Sequence, residues 1–270
     1  MVNWQRGVER LRRDTNHEVV VTGVEDFGDR YRRIHFTGDD LLRELIDVYP
    51  TAWVRLRVPR SGTAAGALAG VGDRSGDQGA AGGPGRFTHR EYTFVDVDIH
   101  AGTFALDFVL RTSGRHGGPG PATRWAMNAV PGTTIDASVT PERIDLPGDT
   151  RRLVLLGDLS ALPAVNSWLG WIPGEVEVTA ILEDDGDREG IPQRQRTNAT
   201  WTWVNSADTP GQAIVDEVRG LGLDTNGLYV WAAGERGLIS TVRSRLRHEL
   251  PLDKKRRFSQ FYWSAGRSAA

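Results

Sequence analysis

The chain has no cysteine among its 270 residues. That removes disulfides, thiolate ligation of iron–sulfur clusters and Cys-based zinc sites. Any redox role must therefore rest on an organic cofactor. An excess of one charge is also missing: 33 basic residues face 35 acidic ones, a formal net charge of −2. No global positive field draws the protein to nucleic acid, and electrostatic recognition has to be local. No apolar run reaches the roughly 20 residues that cross a bilayer. The opening MVNWQRGVERLRRDTNHEVV is charged and lacks the apolar centre of a signal peptide. The expectation is a cytoplasmic protein without stable membrane insertion. His17, His35, His89, His100, His116 and His248 show none of the paired spacing of a metal site, so no metal is assigned.

The hydrophobic fraction of 39% is enough for real cores, and the length suits two ordinary domains. Between His17 and Pro59, Val19–Val21, Tyr31–Phe36 and Trp53–Val58 mix β-branched or aromatic residues with charges in near alternation, as strands with one wet face do. Asp39–Val48 reads as a short helix or turn. Residues 61–85 are almost entirely Gly, Ala, Ser and Asp, and read as a flexible insertion, because too little is apolar to offset the entropy of ordering them. Strand-like sequence resumes at Tyr92 and continues through Phe104–Leu110. A Gly/Pro turn leads into a short helix at Ala122–Ala129, and Thr133–Val139 closes the set. After Asp149 the pattern changes. Leu153–Leu156, Val176–Leu182, Thr200–Val204, Leu228–Ala232 and Phe258–Tyr262 read as strands, alternating with helices at Ala161–Trp171, Ala213–Arg219 and Leu238–Leu250. Such alternation implies a mainly parallel sheet. The expected fold is an antiparallel six-stranded β-barrel over 1–148, then an α/β domain over 149–270. The nine tryptophans are expected in cores or between domains.

Arg90-Glu91-Tyr92-Thr93 carries chemistry suited to a flavin nucleotide. A guanidinium forks onto two phosphate oxygens, a tyrosine can cover a ring and a threonine hydroxyl can bond to its edge. A helix starting near Ala122-Thr123 offers unpaired N–H groups to phosphate. Two phosphate-friendly elements flanking one strand suggest a dinucleotide.

The order of Arg90–Thr93, Asp107-Phe108-Val109-Leu110-Arg111 and Gly120–Ala126 resembles the FAD-binding domain of the siderophore-interacting protein family, in the ferredoxin–NADP reductase superfamily. The resemblance runs from about His17 to Gly266 and includes Leu156–Ala164, Trp231–Glu235 and Tyr262–Arg267. That ending, with Ala52-Trp53, is similar to the reductase domain attached to mycobacterial iron-siderophore transporters. The resemblance implies FAD bound by Arg90, Glu91, Tyr92 and Thr93, by Asp107 to Arg111 on the adenosine side, by Ala122 and Thr123 at the phosphates, and by Trp263, Ser264, Ala265 and Gly266 as a C-terminal cover. It implies a nicotinamide nucleotide facing Gly157, Asp158, Ser160, Ala233, Gly234 and Glu235. The chain departs from the family where Phe94-Val95 replaces a second arginine, Arg111 a common histidine and Leu159 a common glutamate. The run Lys254-Lys255-Arg256-Arg257 is either a solvated turn or a rim that attracts an anionic ferric chelate.

The implied function is FAD-dependent reduction of a ferric siderophore with NAD(P)H, or possibly ferredoxin, as donor. Flavin chemistry needs no general acid or nucleophile from the chain, so no catalytic residue is named. The alternatives are a general flavin or ferredoxin reductase of the same fold, and a flavin-free siderophore carrier.

Overall fold

The structure is a computed structural model that describes residues 15–45, 48–61, 86–111, 118–139, 144 and 146–265. Of the 61–85 insertion, residues 62–85 lie outside the described residues, as does Gly266. The chain divides into two compact units, one around a barrel and one around a parallel sheet.

The barrel strands are β1 (His17–Phe27), β2 (Tyr31–Thr37), β3 (Trp53–Pro59), β4 (Phe87–Asp98), β5 (Thr103–Val109) and β6 (Thr134–Val139). They close in the order β1-β2-β5-β4-β3-β6, every neighbour antiparallel. Alternation puts Ile34 and Phe36 of β2, and Val54, Leu56 and Val58 of β3, wholly out of solvent, while Arg33, His35, Arg55 and Arg57 point the other way. Phe36 stacks on Phe104 at 5.1 Å and Phe94 meets Phe104 edge-on at 5.2 Å. A four-residue helix, α1 (Asp39–Leu42), follows β2, and α2 (Pro121–Asn128) precedes β6. Proline suits the first turn of α2, and the spacing of Ala122, Trp125 and Ala126 gives it one apolar face. The wholly buried Trp125 ring lies 6.4 Å from Phe36 and 5.9 Å from Phe108. Losing such a ring costs about 3–5 kcal/mol.

The second unit holds β7 (Arg152–Asp158), α3 (Leu162–Trp171), β8 (Glu177–Glu183), β9 (Ala199–Val204), α4 (Gln212–Gly220), β10 (Leu228–Glu235), α5 (Arg236–Glu249) and β11 (Arg257–Trp263). Its sheet runs β11-β10-β7-β8-β9 with every pair parallel. β7 and β10 are buried along nearly their whole length because both faces are covered. On one face Val154, Leu156, Val230 and Ala232 join Ile214 and Val215 of α4 and Ile239 and Val242 of α5 in one core. Trp168 of α3 lies 6.3 Å from the Tyr229 ring.

Candidate functional site

In the barrel, Arg90 and Tyr92 stand opposite Leu56 and Val54, so they share the face that carries the barrel's apolar residues. The Tyr92 ring tilts against Phe108 at 4.3 Å, and burial raises its hydroxyl pKa, partly offset by Arg90 and Arg111. Arg90 donates through Nη1 to Thr88 Oγ1 at 2.6 Å and to the His89 carbonyl at 2.7 Å. Thr93 is buried opposite Trp53, and Glu91 pairs with Arg55 at 3.1 Å. The start of α2 has no side-chain cap. Arg124, one turn in, donates to the carbonyls of Pro119, Arg60 (2.9 Å) and Ser61 (3.3 Å). Arg60 N in turn donates to the Arg86 carbonyl at 2.9 Å. Arg124 thereby fastens the helix N-terminus, with Ala122 and Thr123, to the end of the β3–β4 ladder four residues before Arg90. A free helix N-terminus and a guanidinium each offer N–H donors and positive charge to an anion. These residues fit a dinucleotide pyrophosphate.

Asp107 to Arg111 stand differently from the expected adenosine contact. Asp107 accepts from Tyr31 Oη at 2.8 Å and from Arg33 Nε and Nη2 at 2.7 and 3.0 Å, so both carboxylate oxygens are engaged inside the wall. Burial, then the Asp107 charge, raises the Tyr31 pKa. Phe108 is 1% exposed and its ring packs on Trp125 and Tyr92, which leaves none of its faces open to an adenine. Leu110 is buried, and its N–H donates to the Arg30 carbonyl at 2.7 Å. Val109 is half-buried and Arg111 exposed.

In the second unit the expected residues meet at the carboxyl edge of the sheet. Asp158 ends β7. Its Oδ1 accepts from Ser160 N at 2.8 Å and from the Ser160 hydroxyl, and its Oδ2 from Glu235 N and Trp263 Nε1, both at 2.8 Å. One buried carboxylate thus ties together the ends of β7, β10 and β11. Glu235 caps α5 through Gly237 N and Leu238 N, and its Oε1 accepts from Ala265 N at 2.9 Å. A Cβ on Gly157 would stand 2.2 Å from the carbonyl oxygen of Ala233, and Gly234 has φ +147° with its missing Cβ 3.0 Å from the Asp158 carboxyl. Only glycine permits this approach. Ser264, half-buried, follows Trp263. The chain leaves β7 toward β8 and comes back to β10 on its other side, so this edge is a topological switch point, where open α/β sheets bind ligands.

Lys254–Arg256 form a 3₁₀ turn capped by Asp253, whose Oδ1 accepts from Lys255 N at 2.8 Å. Arg256 pairs with Asp149, a hydrogen bond that holds the Asp149 carboxyl below its usual range. Arg256 is therefore a tether, while Lys254 and Lys255 are exposed and Arg257 opens β11. Sequence reading did not single out two residues that the structure engages, Arg124 and Glu183. Arg124 lay inside the quoted Gly120–Ala126 motif, and its place one turn into the helix was the available signal. Glu183, buried at the end of β8, gave none.

Comparison with known proteins places this geometry. Residues 20–142 match the siderophore-interacting FAD-binding domain, and residues 150–266 match the siderophore-interacting protein domain. The chain is 33% identical over 183 residues to the mycobactin import ATP-binding/permease protein IrtA of Mycobacterium tuberculosis, covering 66% of this chain and 20% of that protein. It is 28% identical over 259 residues to IrtA of Mycolicibacterium thermoresistibile, covering 94% of this chain and 25% of that one. The chain thus spans about a quarter or less of the length of these transporter relatives. The ferric vibriobactin reductase ViuB of Vibrio cholerae is 25% identical over 185 residues, 66% of this chain and 65% of that protein. The siderophore-interacting protein SipS of Aeromonas hydrophila superposes with a TM-score of 0.73 at 24% identity, covering 94% of each chain. A siderophore utilization protein from T. fusca does so with a TM-score of 0.70 at 24% identity and the same coverage of both.

Proposed function

The chain belongs to the siderophore-interacting protein family, and we propose that it is an FAD-dependent oxidoreductase that reduces ferric siderophores in the cytoplasm with NAD(P)H as donor. The observation that carries the reading is the barrel cradle: Arg90 on β4 and an uncapped α2 N-terminus that Arg124 anchors to the end of the same β3–β4 ladder, within the matched FAD-binding domain. In this reading Arg90 and the N–H groups of Ala122 and Thr123 hold the pyrophosphate, Tyr92 lies along the flavin and Thr93 bonds to its edge. FAD supplies the conversion of a two-electron hydride donor into the one-electron reduction of iron. The edge formed by Gly157, Asp158, Ser160, Ala233, Gly234 and Glu235 receives the nicotinamide nucleotide. The chelate is substrate. Hard oxygen ligands hold ferric iron far better than ferrous, so reduction is release. The vibriobactin reductase relative supports this acceptor class.

The test is spectroscopic. Purified protein carries a flavin spectrum, bleaches anaerobically with NADH or NADPH, and recovers colour when a ferric siderophore is added. Arg90→Ala lowers FAD occupancy at unchanged fold, because a charge-assisted phosphate contact of about 1.5–3 kcal/mol is lost. Full FAD retention by that variant overturns the cradle assignment. A flavin that bleaches but is not reoxidised by ferric chelates points to a general flavin or ferredoxin reductase.

A further inference from the structure

The segment from Arg236 to Arg257 carries eight Arg or Lys against two acids, Glu249 and Asp253, in a chain whose net charge is −2. Both acids are already engaged: Glu249 pairs with Arg219, and Asp253 caps the turn at Lys254. Behind this basic stretch, between α5 and β11, lies a cleft of about 240 Å³. Its floor is apolar, formed by Val242 and Leu246 of α5 with Leu250, Leu252 and Phe258. Its rim is Arg243, Arg247, Lys254 and Arg257, and no acid lines it.

Elsewhere in the molecule several exposed or half-buried arginines face carboxylates: Arg32 with Asp26, Arg57 with Asp136, Arg219 with Asp216 and Glu249. Among the described residues, none of the cleft's four cations pairs with a carboxylate; Arg243 instead lies 5.7 Å from the Phe261 ring. Arg243 and Arg247 are four apart on α5, a like-charge spacing that costs a helix about 0.2–0.5 kcal/mol. The cleft is not the crevice at Asp158. It reaches β10 and β11 at Val230–Ala232 and Arg257–Ser259, short of Glu235 and Trp263 at the carboxyl edge.

We propose that this cleft is a second binding site, for a small amphipathic anion whose apolar body lies on the leucine floor and whose phosphate-like head is held by Arg243, Arg247, Lys254 and Arg257. The apolar floor excludes a bare inorganic anion as the best-fitting occupant, since nothing on it could replace lost hydration. The unpaired cations exclude a neutral or cationic amphiphile.

The experiment is calorimetric titration of the FAD-loaded protein with octyl phosphate, inorganic phosphate and octyltrimethylammonium. Octyl phosphate binds saturably at one site, and the other two bind about tenfold more weakly or worse, since each lacks one half of the recognition. In Arg243→Gln/Arg247→Gln octyl phosphate affinity drops about tenfold or more. Flavin content and ferric-chelate reduction stay at the parental level there. Ser259→Phe, which fills the cleft from β11, also abolishes octyl phosphate binding while the thermal midpoint is kept. No binding of octyl phosphate overturns the proposal. So does inorganic phosphate binding equally well, which makes the rim a bare anion patch, or undiminished binding by the double variant. A fall in chelate reduction in the double variant overturns the separateness of the two sites.

Discussion

Asp107 in the barrel and Asp158 in the parallel sheet are both buried carboxylates, 4% and 8% exposed, yet they are satisfied in different ways. Asp107 faces the guanidinium of Arg33, its direct cross-strand partner, together with the Tyr31 hydroxyl. Among the described residues no cation pairs with Asp158. It takes two backbone N–H groups, a serine hydroxyl and an indole N–H. The first arrangement is local: one rung of the β2–β5 ladder is made ionic, and Arg33 reaches on to Asp96 at 2.8 Å. The second is integrative, since neutral donors from the turn after β7 and from the ends of β10 and β11 converge on one acceptor and set the spacing of the crevice edge. A charged pair thus secures a wall, whereas an array of neutral donors shapes a site.

The comparison predicts unequal costs. Asp107→Ala leaves the half-buried Arg33 with only the exposed Asp96 as ion partner, so the cost is near the low end of the about 3–5 kcal/mol for breaking a buried pair. Chemical denaturation read on the barrel should show the loss, and the double change Asp107→Leu/Arg33→Leu should recover a large part of it. If the single variant is as stable as the parent, the pair is not the fastening described. Asp158→Asn costs less, about 1–3 kcal/mol, because an amide keeps one acceptor and turns an N–H group toward donors. Its specific sign is functional: weaker binding of the nicotinamide nucleotide with flavin content intact. Equal loss of both ligands would mean that Asp158 supports the whole fold and not the crevice.

Arg124→Ala sharpens the contrast from the barrel side. Its bonds to Arg60 and Ser61 are exposed and only that to Pro119 is half-buried, so the expected stability cost is about 1 kcal/mol. FAD occupancy should fall even though Arg124 is assigned no phosphate contact, because the α2 N-terminus is no longer held beside the Arg90 strand. Arg124→Lys, which keeps the charge but not the fork, should restore little of it.

Much of the architecture is legible from alternation. In Trp53–Val58 each second residue is apolar, in Tyr31–Phe36 nearly so, and those strands appear where the pattern puts them. β1 runs on to Phe27, past Val21, because Thr22–Asp26 is a polar ribbon with a register shift at Gly23 that pattern reading takes for a turn. β4 begins at Phe87 and not at Tyr92, since Thr88–Glu91 offers the core too few apolar side chains to be seen. α5 starts at Arg236, two residues before the expected Leu238, because Glu235 caps it. The Arg90 and Ala122–Thr123 motifs were visible because each is local. The aspartate hubs were not: Asp107 finds Tyr31 76 positions away, and Asp158 finds Trp263 105 away. Only the fold brings those groups together.

The smallest effect expected is at Glu183, which ends β8 directly opposite Asp158. Burial raises its pKa above the ordinary glutamate value, against hydrogen bonds from Gly211 N at 3.1 Å and Ser206 Oγ at 3.4 Å that pull it down. A carboxyl with a raised pKa in the folded state binds its proton more tightly there than in the unfolded chain. The stability it contributes is therefore fully present below the unfolded value of 4.5 and is lost as pH rises through the higher folded value. Folding should strengthen as pH falls through that window, against the trend set by carboxylates such as Asp26, whose pKa is held down by the Arg32 hydrogen bond. Glu183→Gln removes the titration, so its stability relative to the parent should improve as pH rises through the window. Thermal melts of both proteins from about pH 4, below the 4.5 at which the window opens, to about pH 8 check this. A constant difference between the two across the range would mean that Glu183 stays ionised in the fold and that the Gly211 and Ser206 donors outweigh its burial.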